Sequence, residues 1–286
     1  MKSEEEIVIY NIQKYSHSLD LDCLINVASN LSFAKFEVVA CRLLQSDNVG
    51  LISNFCLAIR DSIVIGNKYD ELKEYCLEYP TSSIVTAIEN LLFSHSRQNI
   101  NDAIYTLGKT RSDRSISVLT KAFYRLKDTD PLILPRLFCE LQWLGVENYW
   151  ELINSMISSE IYFTRWSILE LLPEDIAGDS EENIRQSYLY LDKLKQDPCK
   201  YIRAEADYRY RLINFNQKAK NLPKQERNKQ CKQLQKEEKQ ILTFSHLSIL
   251  FNNYLYSESL NKYAIADLET FIKYLLFFRN SYQIGQ

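Results

Sequence analysis

The chain has 286 residues, enough for one large domain or two small ones, and its net charge of -3 at pH 7 excludes no class of partner. Its hydrophobic runs are short and interrupted by charges, which argues against a transmembrane helix. The acidic start, MKSEEEIVIY, lacks the basic region of a signal peptide. We therefore expect a cytoplasmic protein that does not associate with membranes.

Glycine and proline are scarce, with six of each, and both are rare inside helices. The composition therefore predicts an all-α protein whose helices are joined by short turns. In chain order, we expect helices over residues 5–17, 21–29, 33–45, 47–60, 68–79, 81–95, 99–109, 114–127, 131–144, 147–158, 160–172, 181–196 and 198–215. The longest polar turn between them, residues 173–180 (PEDIAGDS), is either a binding loop or a tolerated insertion.

The stretch Asp102–Pro131 predicts a helix, a short polar turn and a second helix, each with one apolar stripe. Such a pair cannot bury its stripes alone, so it must stack on similar neighbours. Leu107-Gly108 recurs as Leu144-Gly145, and glycine suits a helix C-terminus where a positive φ is needed.

An arginine follows six positions after an Asp-Pro or Ser-Glu pair at three places. The pairs and their arginines are Asp130-Pro131 with Arg136, Ser159-Glu160 with Arg165, and Asp197-Pro198 with Arg203. Asp or Ser can cap a helix N-terminus, and proline fits the first helical position. We expect each arginine to pack between repeats and to pair with a neighbouring carboxylate or helix end. The alternative is a row of cations that lines a ligand groove.

Residues Asp197–Ala206 (DPCKYIRAEA), together with Asp102–Pro131, resemble the HEAT-like repeat in the short form found in phycobilin lyases and many bacterial adaptor proteins. The similarity is good over residues 97–213, loose over 20–96 and absent after Phe215. The resemblance implies an α-solenoid of stacked helix pairs. It implies little about activity, because unrelated functions reuse these repeats as scaffolds.

The sequence changes character after Phe215, which predicts a repeat solenoid over residues 1–215 and a separate segment over 216–286. Residues 214–240 hold eight basic and three acidic residues. This basic segment is either a contact for nucleic acid or an acidic partner, or a solvated charged helix. Two amphipathic helices follow, over 241–255 and 262–279, and we expect them to form a C-terminal cap.

The sequence gives no support for catalysis or metal binding. His17, His95 and His246 are far apart and have no cysteine or carboxylate at ligand spacing. The seven cysteines contain no CxxC pair and are typical of buried free thiols in a reducing compartment. Glycine-rich phosphate loops and GxSxG elbows are also absent from the sequence. We therefore expect no metal, no cofactor and no hydrolase or nucleotidyl activity.

Aromatic residues and arginines are the usual components of protein-binding hot spots. The candidate binding residues are Trp143, Trp150, Trp166, Tyr188, Tyr201, Arg203, Asp207, Tyr208 and Arg211. They favour a non-catalytic scaffold or adaptor that binds another protein. The resemblance implies an alternative, a phycobilin lyase or bilin chaperone that acts on a phycobiliprotein. A second alternative is a nucleic-acid-binding HEAT-like protein, against which stand the negative net charge and the lack of a basic stripe along the repeats.

Overall fold

The computed structural model of the chain describes residues 6, 9, 10, 33–65, 83–110, 113–172, 180–219, 221–238 and 240–248. These residues form α-helices and one 3₁₀ turn, Pro131–Ile133, and within them there is no strand, which confirms the all-α class. The helices are α1 Phe33–Leu44, α2 Val49–Ile65, α3 Ser83–Leu91, α4 Arg97–Thr110, α5 Asp113–Leu126, α6 Leu134–Trp143, α7 Tyr149–Ile157, α8 Tyr162–Leu171, α9 Glu181–Leu194, α10 Lys200–Ala219 and α11 Lys224–Glu238.

Some predicted elements lie wholly or largely outside the described residues. These are the helices over 5–17, 21–29, 68–79 and 262–279, and the polar turn over 173–180. Elsewhere the observed helices follow the predicted ones, except that α2 continues to Ile65, α3 ends at Leu91, α10 continues to Ala219 and the basic segment forms α11. No described helix has the length and apolar character that crossing a membrane requires.

The chain divides into two compact units, Met1–Leu152 and Ile153–Gln286, so the predicted boundary at residue 215 falls inside the second unit. In the first unit α1 packs against α2 and α3, and α3 packs against α4. Helices α2, α4 and α6 lie side by side, with α4 in the middle, and α5 packs on α4 and α6. The rings of Phe123 and Phe138 meet edge to face at 5.4 Å in the core between α5 and α6.

The core of the second unit is organised around Glu205 of α10, whose side chain is fully buried. Its Oε1 accepts a hydrogen bond from Nε of Arg209 at 3.0 Å. Its Oε2 accepts one from the indole N–H of Trp166 in α8 at 2.5 Å and one from the backbone N–H of Phe244 at 2.9 Å. Because Phe244 and Leu247 are buried, the described start of the predicted C-terminal cap does pack on this unit.

The two recurring Leu-Gly pairs have different roles. Gly145 follows α6 with φ +76°, and the N–H of Val146 donates to the carbonyl of Leu141 at 3.1 Å, which confirms the predicted helix C-terminus. Gly108 does not end its helix, because α4 continues to Thr110. The expectation of a second glycine C-cap at this position is therefore wrong.

The described cysteines 41, 56, 139, 199 and 231 are all free thiols. Of these only Cys56 is buried, and burial raises the pKa of its thiol to about 12. Cys139 is exposed, because it lies on the outward side of α6. The expectation of buried thiols is therefore wrong for Cys139 and correct for Cys56.

At two of the three motif copies the arginine is bound to its own turn. Arg165 donates through Nη1 to the carbonyls of Ser159 at 2.6 Å and Glu160 at 3.2 Å. Arg203 donates through Nη1 to the equivalent carbonyls, those of Asp197 at 2.6 Å and Pro198 at 2.8 Å. These contacts satisfy carbonyls at the start of α8 and α10, so the two arginines have the structural role that the sequence favoured.

Asp197 links the two copies. Its carboxylate accepts from Nε and Nη2 of Arg165 at 2.7 and 3.1 Å, and its Oδ1 also accepts from the backbone N–H of Cys199 at 2.8 Å. The exposed fraction of the side chain is 4% for Asp197 and 12% for Arg165. A buried two-pronged pair of this kind fixes both position and orientation.

We expect Arg165→Ala to lower the free energy of unfolding by about 3 kcal/mol, because it leaves the buried carboxylate of Asp197 without its cation. The measurement is urea unfolding followed by circular dichroism at 222 nm. Arg185→Ala is the matched control, because the Arg185 side chain is 72% exposed and pairs with Glu182, which is also exposed. This change should leave the midpoint unchanged. Equal midpoints for the two variants would contradict a structural role for Arg165.

Candidate functional site

The nine predicted binding residues are divided between the two units. Trp143 and Trp150 belong to the first unit, and the other seven belong to the second. Trp166 is completely buried and Tyr208 is 7% exposed, so neither presents a surface to a partner. This corrects their predicted role. Trp166 is a core residue because its N–H is satisfied by Glu205 and its ring stacks on that of Tyr201, with centroids 6.1 Å apart.

Four of the other predicted residues of the second unit, Tyr188, Arg203, Asp207 and Arg211, use their polar groups within the protein. The hydroxyl of Tyr188 lies 3.2 Å from Oδ1 of Asn214. Arg211 donates to Asp207 at 3.0 Å and also pairs with Glu237 of α11. Arg203 is held by its own turn. These contacts stabilise the unit without leaving an evident binding surface.

The basic segment forms α11, which packs on α10 and buries only Leu234. A shallow groove between these helices is lined by both signs of charge, including Arg211, Lys229 and Glu237. Most other side chains of α11 are exposed. This arrangement is that of a solvated charged helix, one of the two interpretations left open by the sequence.

Trp143 is different, because its side chain is 73% exposed at the end of α6. Nearby side chains from α2, α4 and α6 form what we call the Tyr105 patch, defined as Arg60, Tyr105, Lys109, Arg136, Glu140 and Trp143. Tyr105 and Lys109 are four residues apart on α4, and Arg136, Glu140 and Trp143 follow the same periodicity on α6, so each helix presents one face to the patch.

The ring of Tyr105 is surrounded by cations. Measured to the ring centroid, the guanidinium carbon of Arg60 lies at 4.7 Å, that of Arg136 at 4.8 Å and Nζ of Lys109 at 5.0 Å. Nζ of Lys109 is also 5.9 Å from the ring of Trp143. These distances are within the range of cation–π attraction. The patch therefore combines aromatic surface with positive charge.

Two carboxylates lie beneath these cations. Asp102 is 5% exposed; it accepts from Nη1 of Arg60 at 3.2 Å and from the amide of Gln98 at 2.9 Å. Glu140 is 1% exposed, and its Oε2 makes no hydrogen bond with any described residue. Burial raises the pKa of Glu140, while the charges of Lys109 and Arg136 act against that rise.

The cations above Glu140 approach it without hydrogen bonding to it. Nζ of Lys109 lies 3.7 Å from Oε2, and Nη1 of Arg136 lies 3.8 Å from Oε1. Both distances exceed the length of a hydrogen bond. Among the described residues, neither cation has another acceptor within reach, so their donors remain available to a ligand.

Arg136 departs from the behaviour of Arg165 and Arg203, its counterparts in the motif. The turn Pro131–Ile133 is 3₁₀, and α6 begins only at Leu134, so Arg136 is the third residue of its helix. Arg165 and Arg203 are each the fourth residue of theirs. The predicted equivalence of the three arginines is therefore wrong at Arg136, which is the one that lies beside an aromatic surface.

The aspartate of that motif copy keeps its structural role. Oδ2 of Asp130 accepts from Nε of Arg97 at 2.7 Å, as Asp197 does from Arg165. Arg97 thus supplies the cation for this turn. Asp130 is therefore paired in the same way as Asp197, and in this copy of the motif only the arginine, Arg136, makes different contacts.

The sequence predicted Trp143 as a binding residue and offered a ligand groove for Arg136 only as the alternative to a structural role. It gave no prediction for Arg60, Tyr105, Lys109 and Glu140. A weak local signal existed for Tyr105 and Lys109, because their spacing places both on one side of α4. No local signal linked them to Arg60, which lies on a helix more than 40 residues earlier in the chain.

Gly108 allows α4 and α6 to approach each other at the patch. A Cβ at this position would lie 2.1 Å from Oε2 and 2.8 Å from Cβ of Glu140. Both distances are shorter than any van der Waals contact, so a side chain here would displace Glu140 or separate the two helices.

Among the described residues there is no group of three or more histidine, cysteine, aspartate and glutamate side chains that could hold a metal ion. No protein-family model, curated protein or solved structure matches this chain. Any functional conclusion therefore depends on the geometry of the Tyr105 patch, whose side chains suit binding through charge and aromatic contact.

We expect Gly108→Ala to lower the free energy of unfolding by about 1–3 kcal/mol, because the new methyl group overlaps Glu140. Gly50→Ala is the matched control in α2, where the added Cβ would meet only Oδ1 of Asn48, at 3.5 Å. Both changes gain the helix propensity of alanine, so their difference in urea unfolding reports the overlap. If the Gly108→Ala variant were as stable as Gly50→Ala, the close approach of α4 and α6 at Gly108 would be contradicted.

Glu140→Gln should change how stability depends on pH. Because the folded pKa of Glu140 is raised above 4.5, the folded state binds this proton more tightly than the unfolded state does. The wild-type protein therefore loses stability as pH rises from 4.5 through the raised pKa, and the variant lacks this loss. Urea unfolding of both proteins between pH 4 and 7 should show the variant gaining stability relative to wild type. A difference in unfolding free energy between the two proteins that does not change with pH would contradict a raised pKa of Glu140.

Proposed function

We propose that the protein is a non-catalytic scaffold or adaptor of the HEAT-like repeat class, and that it binds another protein through the Tyr105 patch. The observation that carries the proposal is Trp143, 73% exposed, in the same patch as Lys109 and Arg136, two cations that hydrogen-bond to no acceptor among the described residues. Tryptophan and arginine are the residues most enriched at the energetic centres of protein interfaces. The exposed indole of Trp143 beside Lys109 supplies the large apolar contact area that such centres use.

The packing of the first unit supports the proposed solenoid. Pairs α1–α2, α3–α4 and α5–α6 follow one another along the chain, and the second helices of the pairs lie side by side. Stacked pairs of this kind present a continuous surface built from equivalent helices. The Tyr105 patch spans three such helices, α2, α4 and α6.

The patch favours binding over catalysis. Its members are tyrosine, lysine, arginine, glutamate and tryptophan, and the patch as defined contains none of the serine, cysteine or histidine side chains that form nucleophile–base pairs such as Ser–His and Cys–His. The free thiols of the described cysteines support our proposal of a cytoplasmic location. The bilin lyase and nucleic-acid alternatives stay predictions from the sequence, and no described feature favours either.

We expect a tagged wild-type protein to recover a stoichiometric protein partner from extracts of its native source, and Trp143→Ala to lose that partner because it removes the exposed indole. Tyr124→Ala is the matched control, since Tyr124 is 55% exposed on α5 and lies outside the patch. Recovery should be quantified by mass spectrometry against the bait.

Equal recovery by wild type and Trp143→Ala would contradict binding through the patch. Covalent transfer of a bilin by the purified protein would contradict the non-catalytic scaffold and favour the lyase alternative.

A further inference from the structure

The Tyr105 patch presents positive charge to solvent and keeps its negative charge inside. The side chains of Arg136 and Lys109 are 46% and 27% exposed, whereas those of Asp102 and Glu140 are 7% and 1% exposed. A ligand that approaches the patch therefore meets cations first. Since the carboxylates beneath cannot reach solvent, they cannot compete for the ligand or repel it at contact distance.

The charges beneath the surface do not fully balance those above. Arg60 is paired with Asp102 at 3.2 Å, so both are already committed. The single carboxylate of Glu140 is shared by Lys109 and Arg136, at distances that exclude hydrogen bonds. One positive charge and the donors of two cations are therefore left for an incoming anion.

From this complementarity we propose that the Tyr105 patch recognises an acidic peptide segment of the partner, with a carboxylate bound by Arg136 and Lys109 and an apolar side chain packed on Trp143. This inference rests on the proposed adaptor function and specifies what its partner presents. A guanidinium binds a carboxylate through two parallel hydrogen bonds, which fixes the orientation of the bound segment.

The distance between Arg136 and Trp143 on α6 sets the distance between the acidic and the apolar residue of the bound segment. Arg136 and Trp143 are seven residues apart, so their Cα atoms are separated by about 10 Å along the helix axis. A segment in the polyproline II conformation rises about 3.1 Å per residue and has three residues per turn, so side chains three positions apart lie on the same side of it, about 9 Å apart. The bound segment therefore carries its acidic residue and its apolar residue three positions apart.

A protein segment fits the patch better than a nucleic acid does. Binding to a phosphate backbone depends on a row of cations that neutralises successive charges. The patch offers only two exposed cations, Arg136 and Lys109, beside one exposed indole. That arrangement suits one carboxylate and one apolar group.

The test uses fluorescein-labelled peptides and fluorescence anisotropy with the full-length chain. The first probe, GSEEGLGSG, has leucine three positions after its first glutamate; the second replaces both glutamates with glutamine, and the third replaces leucine with glycine. We expect the first peptide to bind and its affinity to fall as salt rises, because the contact is electrostatic and partly exposed. The glutamine peptide should bind at least about tenfold more weakly.

Variants separate the two halves of the site. Arg136→Gln should weaken the glutamate–leucine peptide about tenfold while the variant keeps the helical content of wild type, because Lys109 still supplies a cation for Glu140 at 3.7 Å. Trp143→Ala should weaken the leucine peptide and leave the glycine peptide unchanged. Arg185→Gln, an exposed arginine of the second unit with a 72% exposed side chain, is the matched control and should bind as wild type does.

The inference is overturned if the glutamine peptide binds as tightly as the glutamate peptide, or if Arg136→Gln binds as wild type does. It is also overturned if a labelled oligothymidylate of the same length binds more tightly than the acidic peptide, or if no acidic peptide binds at about 1 mM. If the peptides fail while Trp143→Ala still loses the recovered partner, the adaptor function stands and only the acidic specificity fails. If Trp143→Ala keeps that partner, both fail.

Discussion

A carboxylate inside a helical protein must be given hydrogen-bond donors or cations, and each unit of this chain is organised by that requirement. Glu205 is fully buried and receives donors from Trp166, Arg209 and the backbone of Phe244. Since these groups come from α8, α10 and the segment after α11, one carboxylate fixes three parts of the second unit. Burying a carboxylate that accepts from three donors costs little free energy. Removing any of these donors would lower the free energy of unfolding.

Glu140 is the exception that gives the first unit its candidate site. It is as deeply buried as Glu205, yet its nearest cations, Lys109 and Arg136, lie beyond hydrogen-bond length. The attraction still holds both cations over α4 and α6, because Coulomb energy falls slowly with distance in a partly desolvated site. Their donors remain open to solvent. Because Glu140 does not hydrogen-bond to Lys109 or Arg136, both cations can still hydrogen-bond to a ligand at the surface.

The same sequence motif serves two purposes in this chain. At Arg165 and Arg203 the guanidinium binds two backbone carbonyls of the preceding turn. At Arg136 a 3₁₀ turn shifts the start of the helix by one residue, and the guanidinium lies over Tyr105 instead. Arg97 supplies the cation for Asp130 in that copy, as Arg165 does for Asp197, and no described hydrogen bond holds Arg136 to its turn.

The sequence by itself determined the all-α class, most helix limits among the described residues, the glycine C-cap at Gly145 and the structural role of Arg165. Each of these depends on residues close together in the chain, since helical periodicity, capping and backbone φ are local properties. Only the tertiary structure decided that Trp166 and Tyr208 are buried while Trp143 is exposed, and that Tyr105 meets cations from α2 and α6. An aromatic residue on an apolar stripe has the same local pattern in either case. Its exposure depends on where the neighbouring helices lie, and that is fixed by packing between residues far apart in sequence.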